Sequence, residues 1–282
     1  MSALPIPPSS DPLADLIDKV DGLAVLPHVV FRILDLTDSL DSPTHEMEKV
    51  ITVDPGFSSK VLVMANSAYY GLPRRVTSIK EALLFLGFKS VRSMAMTVGV
   101  FDLFVGKTDK ESLRRRQWWR RSVDAAVCAR WLAKREKTLV GDDCYTCALL
   151  HLIGKTLIDR YGGHDYNRIV ELEERGVPDR LGEQRLYGFD HIEVAVAAAK
   201  KWGFPEILAA GLNYGQPTEA DADYLLQRAC TALASAIAYQ IVGKGQAELP
   251  EWALAAFGLT LDHTHELLEG ATMAVAAAQL QV

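Results

Sequence analysis

Apolar residues recur every three or four positions along most of the chain. Val29, Ile33 and Leu36 follow this spacing near the start, and Val61 and Ala65 follow it further on. Such spacing places apolar side chains on one face of an α-helix. No segment alternates apolar and polar residues as a half-buried strand does. The pattern therefore predicts an all-α fold without a sheet.

Capping signals mark where several of these helices begin. Asp11-Pro12, Ser42-Pro43 and Asp54-Pro55 each place a capping side chain before a proline that suits the first helical position. Ser78 and Glu81 have the spacing of a capping box. Further along, the apolar spacing predicts helices over residues 110–137, 142–160, 165–175, 190–202, 205–214, 221–243, 249–257 and 263–281.

The same pattern suggests how the chain is divided. Residues 1–12 are rich in Pro and Ser, which predicts a flexible tail. The charged stretch Gly106-Lys107-Thr108-Asp109 is the best candidate for a join. We therefore predict an N-terminal helical lobe over 13–106 and a second helical lobe over 107–282. The helices after residue 220 have no role that the sequence reveals.

Composition restricts the classes of function. The chain has 282 residues and a formal net charge of -6, with acidic and basic residues interleaved. This charge gives no general attraction for nucleic acid or for an anionic membrane. No stretch approaches the roughly 20 uninterrupted apolar residues of a membrane span. We expect a cytoplasmic protein without membrane association.

The four cysteines fit that compartment. Cys144 and Cys147 form a C-x-x-C pair, but no second pair lies at zinc-ribbon spacing. No β-α-β pattern surrounds the pair as it does in thioredoxins. We expect helical cysteines without metal or redox chemistry, and we expect no cofactor.

A specific combination of motifs occurs in the first third of the chain. Ile51-x-x-Asp54-Pro55 is followed by Ala65-Asn66-Ser67-Ala68 and later by Leu86-Gly87. This series resembles the HDOD family, the HD-related output domains of bacterial signalling proteins. The resemblance implies an all-helical fold with an HD-like C-terminal lobe that serves as a signalling output or scaffold.

Further motifs follow in the order that the resemblance requires. They are Trp118-Trp119, the segment Ala148–Lys155 that contains His151, Gly188-x-x-His191 and Trp202-x-x-Pro205. Together the motifs cover about residues 21–215, so the resemblance extends over most of the chain.

Asn66 and Ser67 have two interpretations. Their short polar side chains favour helix ends, so they are expected to close a helix before a turn completed by Gly71. A ligand-contacting role is the alternative. Asp54 and Pro55 belong to the same motif and mark a helix start.

The resemblance also implies that the metal site is degenerate. HD hydrolases hold a divalent metal with a histidine, an adjacent His-Asp pair and a further aspartate. Here Leu152 follows His151, and Arg121 occupies the position of the first histidine. We expect no bound metal and no hydrolysis. A divergent phosphohydrolase is the alternative, built from the surviving residues His151, Asp159, His164, Asp165, Asp190 and His191.

Arg121 is the residue with the sharpest expectation. On a helix it shares a face with Ala125, Cys128 and Leu132, which predicts an inward orientation. A buried guanidinium needs partners, so we expect an ion pair with Asp159 or Asp190 and expect His151 nearby. The pocket would then suit a small anionic ligand. A side chain that bends out to solvent is the alternative.

The leading hypothesis is a non-catalytic signalling module that acts through protein contacts or by sensing a small anionic ligand. Besides the phosphohydrolase, a nucleic-acid-binding regulator is a second alternative. The segment from Arg114 to Arg121 interleaves arginines with Trp118 and Trp119, which could contact phosphates and bases. A charge run on a helix is more often a solvated face, so nucleic acid is not the expected partner.

Overall fold

The computed structural model describes most of the chain. The described residues are 11–21, 29, 32, 33, 36, 44–67, 70–101, 104, 109–218, 224–242 and 248–279. Within them every regular element is a helix and none is a strand. The predicted all-α fold is confirmed. The predicted start at Ser42-Pro43, the join at Gly106-Lys107-Thr108 and residues 1–10 of the predicted tail lie outside the described residues.

The first helices of the chain begin at predicted caps, except the helix from Thr44, whose predicted cap lies outside the described residues. They are α1 (Pro12–Asp21), α2 (Thr44–Thr52), α3 (Pro55–Ala65) and α4 (Ile79–Phe101). Helix α4 bends at Gly87, whose φ of 77° is readily adopted only by glycine. The helix continues beyond this bend to Phe101.

Ten further helices follow in the described part of the chain. They are α5 (Asp109–Ala133), α6 (Gly141–Leu150), α7 (Ile153–Tyr161), α8 (Asn167–Glu174), α9 (Asp179–Tyr187), α10 (His191–Lys201), α11 (Glu206–Leu212), α12 (Leu225–Ile241), α13 (Glu251–Ala256) and α14 (Thr264–Gln279), with a 3-10 turn at Leu261–His263.

Two stretches in this part of the chain differ from the sequence prediction. The single helix expected over 142–160 is broken at His151 and Leu152, which separate α6 from α7. The apolar spacing hides the break because Leu150, Leu152 and Ile153 are all buried. Helix α9 lies where no helix was predicted.

The core consists of two hydrophobic clusters. The smaller one lies among α2, α3 and α4 and contains Met47, Val61 and Met94. The larger one is built mainly from α5 to α14. Helix α1 packs against α7 and α10, and its Leu16 and Ile17 belong to the larger cluster. We call α2–α4 the N-terminal lobe and α1 with α5–α14 the C-terminal lobe.

Helix α3 begins at a complete N-terminal cap. The Asp54 carboxylate accepts hydrogen bonds from the backbone N–H groups of Gly56 (2.8 Å) and Phe57 (3.1 Å). Pro55 occupies the first helical position and has no N–H that would need a partner. Asp54 and Pro55 therefore determine where α3 starts.

Asn66 closes the other end of α3. Its Nδ2 donates to the carbonyl oxygens of Leu62 and Val76, both at 2.8 Å. Its Oδ1 accepts from the Val76 N–H, also at 2.8 Å. Ser67 follows in the turn, and Gly71 has the positive φ that completes it. Asn66 thus joins the end of α3 to the segment that leads into α4.

The two lobes meet where the start of α6 contacts α4. Arg92 Nη1 donates to Asp143 Oδ1 at 3.0 Å, and both side chains are largely buried. Arg130 Nη2 donates to Asp142 Oδ1 at 2.6 Å and its guanidinium lies over the ring of Tyr145. The Arg92–Asp143 pair therefore connects the lobes, and the Arg130–Asp142 pair lies beside it within the C-terminal lobe.

Helices α7 and α10 approach each other very closely. A Cβ placed on Gly154 would lie 1.9 Å from the carbonyl oxygen of His191. Only glycine fits this position without moving a helix. The close contact brings the break after α6 next to the start of α10.

Helix α4 is long and apolar enough to cross a membrane by length and composition alone. In the structure 61% of its most apolar window is buried inside the protein. Its residues Met94 and Met96 belong to the smaller and the larger cluster respectively. Its apolar positions are therefore used in protein packing.

Replacing Asn66 with Ala should lower the free energy of unfolding by about 2–4 kcal/mol, because the N–H and C=O of Val76 lose their partner. Urea denaturation measures this change. The matched control is Ser59→Ala, an exposed position on the same helix, with an expected effect below about 0.5 kcal/mol. Equal effects of the two substitutions would contradict the role given to Asn66.

Candidate functional site

The candidate site is an open groove in the C-terminal lobe, with a volume of about 670 Å³. We call it the Arg121 groove. Its walls come from α5, the segment that joins α8 to α9, the start of α10 and the chain after α11. The lining residues are Arg121, Glu173, Gly176, Val177, Pro178, Asp179, Arg180, His191, Ile192, Tyr214, Gly215, Gln216, Ala232, Ser235, Ala236, Tyr239, Glu248, Pro250 and Trp252.

Arg121 lines this groove as a half-buried side chain. Its guanidinium carbon lies 4.9 Å from the ring centroid of Tyr239. Its Nε is buried and has no hydrogen-bond partner among the described residues. The expected ion pair with Asp159 or Asp190 is not formed, since both carboxylates have other partners. Arg121 therefore points a positive charge toward the groove without a carboxylate beside it.

Asp159 is held by two arginines from an earlier part of α5. Arg115 Nε donates to Asp159 Oδ2 at 2.5 Å, and Arg114 donates to Oδ1. Asp159 is 3% exposed, so these two charges stabilise a nearly buried carboxylate. Asp159 lies outside the lining of the groove.

Asp190 has a structural task at the start of α10. Its Oδ1 accepts from the N–H groups of Ile192 (2.9 Å) and Glu193 (3.0 Å), which caps the helix. Its Oδ2 pairs with Arg180 at 2.7 Å. Both oxygens are therefore engaged. Asp190 itself is not a lining residue of the groove, whereas Arg180 and His191 are.

His151 ends α6 and is completely buried. Its Nδ1 lies 2.5 Å from the carbonyl oxygen of Ala148, so Nδ1 carries the proton. Its Nε2 has no partner among the described residues, and its ring meets Tyr214 edge-on. Burial, with the nearby charge of Arg121, lowers the pKa of His151 to about 3. His151 is thus a neutral residue whose surroundings include the charge of Arg121.

His191 belongs to a chain of buried hydrogen bonds. Its Nδ1 donates to Glu183 Oε2 at 2.6 Å, and its Nε2 accepts from the Tyr214 hydroxyl at 2.8 Å. The Tyr166 hydroxyl donates to the other oxygen of Glu183. Burial raises the pKa of Tyr214, so its hydroxyl stays protonated. This chain fixes His191 and Tyr214 in the groove wall.

Lys155 is another buried cation. It belongs to the motif Ala148–Lys155, but nothing in the sequence marked it as a site residue. It is 1% exposed and pairs with Asp179 and, at 3.4 Å, with Glu173. Burial opposes its charge, but Asp179 and Glu173 raise the pKa of Lys155. Burial likewise opposes the charge of Asp179, but Lys155 lowers the pKa of that carboxyl. Of the three carboxylates that line the groove, Asp179 and Glu173 are therefore paired with Lys155, and Glu248 is the third.

Sequence reasoning missed Glu183, Asp179 and Arg180 because they lie on the unpredicted helix α9. It also left open the helices after residue 220. Helix α12 supplies Tyr239 and the segment of α13 supplies Trp252 to the groove. The only sequence signal for these residues was apolar spacing, which does not identify a groove.

The residues present do not fit the metal of HD hydrolases. His151 Nδ1 is bound to a backbone carbonyl, and the buried Leu152 offers no ligand. Asp159 is neutralised by two arginines. In the described part of the chain no three His, Cys, Asp or Glu side chains are grouped to hold a metal ion.

The C-x-x-C pair lies inside the core. Cys144 Sγ donates to Gln227 Oε1 at 3.3 Å, and Gln227 Nε2 donates to Cys147 Sγ at 3.2 Å. Burial raises the pKa of Cys147 far above its usual range. The pair therefore connects α6 to α12, and burial keeps Cys147 in the thiol form.

Comparisons with known proteins agree with this architecture. Residues 23–216 match the HDOD domain family. A protein from Shewanella amazonensis SB2B with a provisional phosphohydrolase name is 26% identical, with a TM-score of 0.72 over 95% of this chain and 98% of that chain. An HDOD domain protein of unknown function from Geobacter sulfurreducens is 24% identical, with a TM-score of 0.74 over 96% and 98%.

A curated relative is an uncharacterized protein from Treponema pallidum (strain Nichols). It is 26% identical over 196 residues, which are 68% of this chain and 37% of that protein. This chain thus corresponds to little more than a third of that relative.

The helical fold and the residues around Arg121 define an HD-related domain whose metal ligands are incomplete. The family match covers well over half of the chain, and the chain belongs to the HDOD domain family.

The buried His151 predicts a pH-dependent stability. Its pKa is about 3 in the folded protein against 6.5 ordinarily, so the unfolded chain binds one more proton between those values. The stabilisation is complete above about pH 6.5 and is lost as the pH falls toward 3. Between about pH 7 and pH 5 this one residue should cost about 2 kcal/mol of unfolding free energy.

Urea denaturation of wild type and His151→Gln at both pH values measures this contribution. The substitution should reduce the pH-dependent loss by about 2 kcal/mol. His45→Gln, at an exposed position on α2, is the matched control and should leave the loss unchanged. Identical pH dependence in wild type and His151→Gln would contradict the neutral, buried state of His151.

The buried thiols predict slow chemical labelling. Cys128, Cys144, Cys147 and Cys230 are all buried. A thiol-specific chromogenic reagent should therefore react with native protein only after unfolding, because the reagent has no access to the buried sulfur atoms. A Ser59→Cys variant supplies an exposed thiol as the control. Native wild type that reacts as fast as this variant would contradict the prediction.

Proposed function

We propose that this protein is a regulatory signalling module that does not hydrolyse its ligand, and that the Arg121 groove binds a small anionic ligand. Arg121 is the observation that carries the proposal. It lines an open groove, and no ion pair joins it to a described residue. A cation without a fixed counter-charge beside an open space favours an anion from solution.

The charges around Arg121 support this choice of ligand. Glu173, Asp179 and Glu248 line the groove. Lys155 pairs with the first two, and in the described part of the chain none of the three forms an ion pair with Arg121. Arg180 is occupied by Asp190. Arg121 is therefore the side chain best placed to bind a carboxylate or phosphate, and its planar guanidinium suits two parallel hydrogen bonds.

The non-catalytic part of the proposal rests on the missing ligand set. Hydrolysis of a phosphate ester in HD proteins needs a metal that activates water. Here Leu152 and Arg121 stand at two ligand positions, and Asp159 is bound to Arg114 and Arg115. The provisional phosphohydrolase name of the Shewanella protein favours the catalytic alternative. At 26% identity that name does not transfer the missing ligands to this chain.

The arrangement of α5 gives less support to a nucleic-acid-binding regulator. Arg114 and Arg115 are turned toward Asp159, and Trp118 is 8% exposed. Single-strand binders instead present aromatic rings and cations on one open surface. We propose protein partners rather than nucleic acid for the signalling role.

Pyrophosphate and citrate test the anion site as a phosphate probe and a carboxylate probe. Calorimetric titration of the wild type should detect binding of at least one of them. Arg121→Gln should weaken that binding by about tenfold or more, because charge-assisted hydrogen bonds are lost. Arg185→Gln, an exposed arginine on α9 outside the groove, is the matched control and should bind as the wild type does.

Two results would contradict the proposal. Equal binding by wild type and Arg121→Gln would remove Arg121 from the site. Release of phosphate from nucleoside phosphates or cyclic dinucleotides by metal-supplied wild type would contradict the non-catalytic role. Metal analysis of the purified protein, with close to one zinc, iron or manganese per chain, would do the same.

A further inference from the structure

A second groove lies in a different part of the molecule, between α3, the end of α4 and α5. Its volume is about 630 Å³, which is in the range of ligand-binding clefts, roughly 300–1,000 Å³. It shares no lining residue with the Arg121 groove. We call it the apolar groove, and its main lining side chains are Lys60, Val63, Met64, Val98, Phe101 and Trp119.

The apolar groove exposes side chains that normally avoid water. Val63 is 70% exposed and Phe101 is 41% exposed. The Phe101 and Trp119 rings meet edge to face with centroids 5.3 Å apart, and Phe104 packs against the same tryptophan. The aromatic wall is therefore already formed. Contiguous exposed apolar surface of this kind marks interaction sites.

The charge of the groove indicates what kind of partner fits. Among the described residues, its lining contains the cation Lys60 and no carboxylate. Arg116 lies one turn before Trp119 on α5 and is exposed. Neither Lys60 nor Arg116 forms an ion pair with a described residue. This positive, apolar surface occurs on a chain of net charge -6, so it is a local feature.

We propose that the apolar groove binds a short amphipathic helix of a partner protein. The apolar face of that helix would fill the space between Val63 and Trp119. Acidic residues beside this face would pair with Lys60 and Arg116. This mode of binding needs apolar anchors spaced three or four positions apart.

The same features argue against other occupants. Nucleic acid would require many cations along a phosphate path, whereas Lys60 is the one cation that the described lining residues supply. A membrane surface would require apolar side chains that protrude, whereas Met64 and Val98 lie within a concave groove. A helix supplies the convex apolar surface that the groove lacks.

Selection from a displayed library of helical peptides tests the proposal with the full chain. Peptides of about 16 residues are long enough to form a helix. Selected peptides should be enriched in acidic residues and carry apolar residues at i, i+3 or i+4 and i+7. Their affinities are then measured by fluorescence anisotropy. A selection that yields no binders, or binders without acidic enrichment, overturns the proposal.

Point variants locate the binding site. Val63→Glu and Lys60→Glu should each weaken peptide binding by about tenfold or more, because they add a negative charge to the groove. Both positions are exposed, so the fold should be retained, which circular dichroism verifies. The matched control is Leu84→Glu, 79% exposed and outside the groove, which should leave binding unchanged. Equal binding to wild type and Val63→Glu overturns the proposal.

Further arms separate this proposal from its rivals and from the anion site. Arg121→Gln should bind the selected peptides as the wild type does. Pelleting with phosphatidylserine vesicles, binding of labelled single-stranded DNA and sedimentation at high protein concentration test the other occupants. If Val63→Glu abolishes vesicle binding, DNA binding or self-association but leaves peptide binding intact, the partner-helix proposal is wrong.

Discussion

Neutralisation of buried charge is the constraint on which the C-terminal lobe depends. An ionised group removed from water is costly unless a partner and hydrogen bonds compensate it. Asp159 is therefore bound to two arginines, Asp190 to a helix start and Arg180, and Lys155 to Asp179. Because these carboxylates are engaged in ion pairs, they are not free to bind a metal ion. Arg121 lines the groove without an ion-pair partner among the described residues, and the proposed anion binding depends on this side chain.

Local signals in the sequence predicted the fold well because they act over a few residues. Asp54 caps α3 through its own backbone neighbours, and Gly71 completes the turn after Asn66. The pairing of Asp159 could not be predicted in this way. The single helix expected over 142–160 would place Asp159 near the same helical face as His151. The break at His151 and Leu152 removes that relation and leaves Asp159 opposite the first turns of α5.

Part of the site could not be predicted from the sequence, because helix α9 lacks the apolar spacing that indicates a helix. Helix α9 buries Gly182, Glu183 and Tyr187, a set that gives no apolar periodicity. Glu183 is nevertheless fully buried, because His191 and Tyr166 satisfy its oxygens. The groove also depends on α12 and α13, which lie beyond the residues that match the family. Motifs therefore located the lobe but could not define the space inside it.

An arginine responds to its surroundings differently from a bound metal ion. A bound metal is lost to chelators and depends on the protonation of its ligands, whereas a guanidinium is covalently attached and stays charged. His151 also stays neutral at ordinary pH, since its pKa is about 3. The charges of Arg121 and His151 are therefore constant across the physiological range. If the ligand is a phosphate monoester, with a second pKa of about 6, any change in affinity near neutral pH that involves this pair reflects ionisation of the ligand itself.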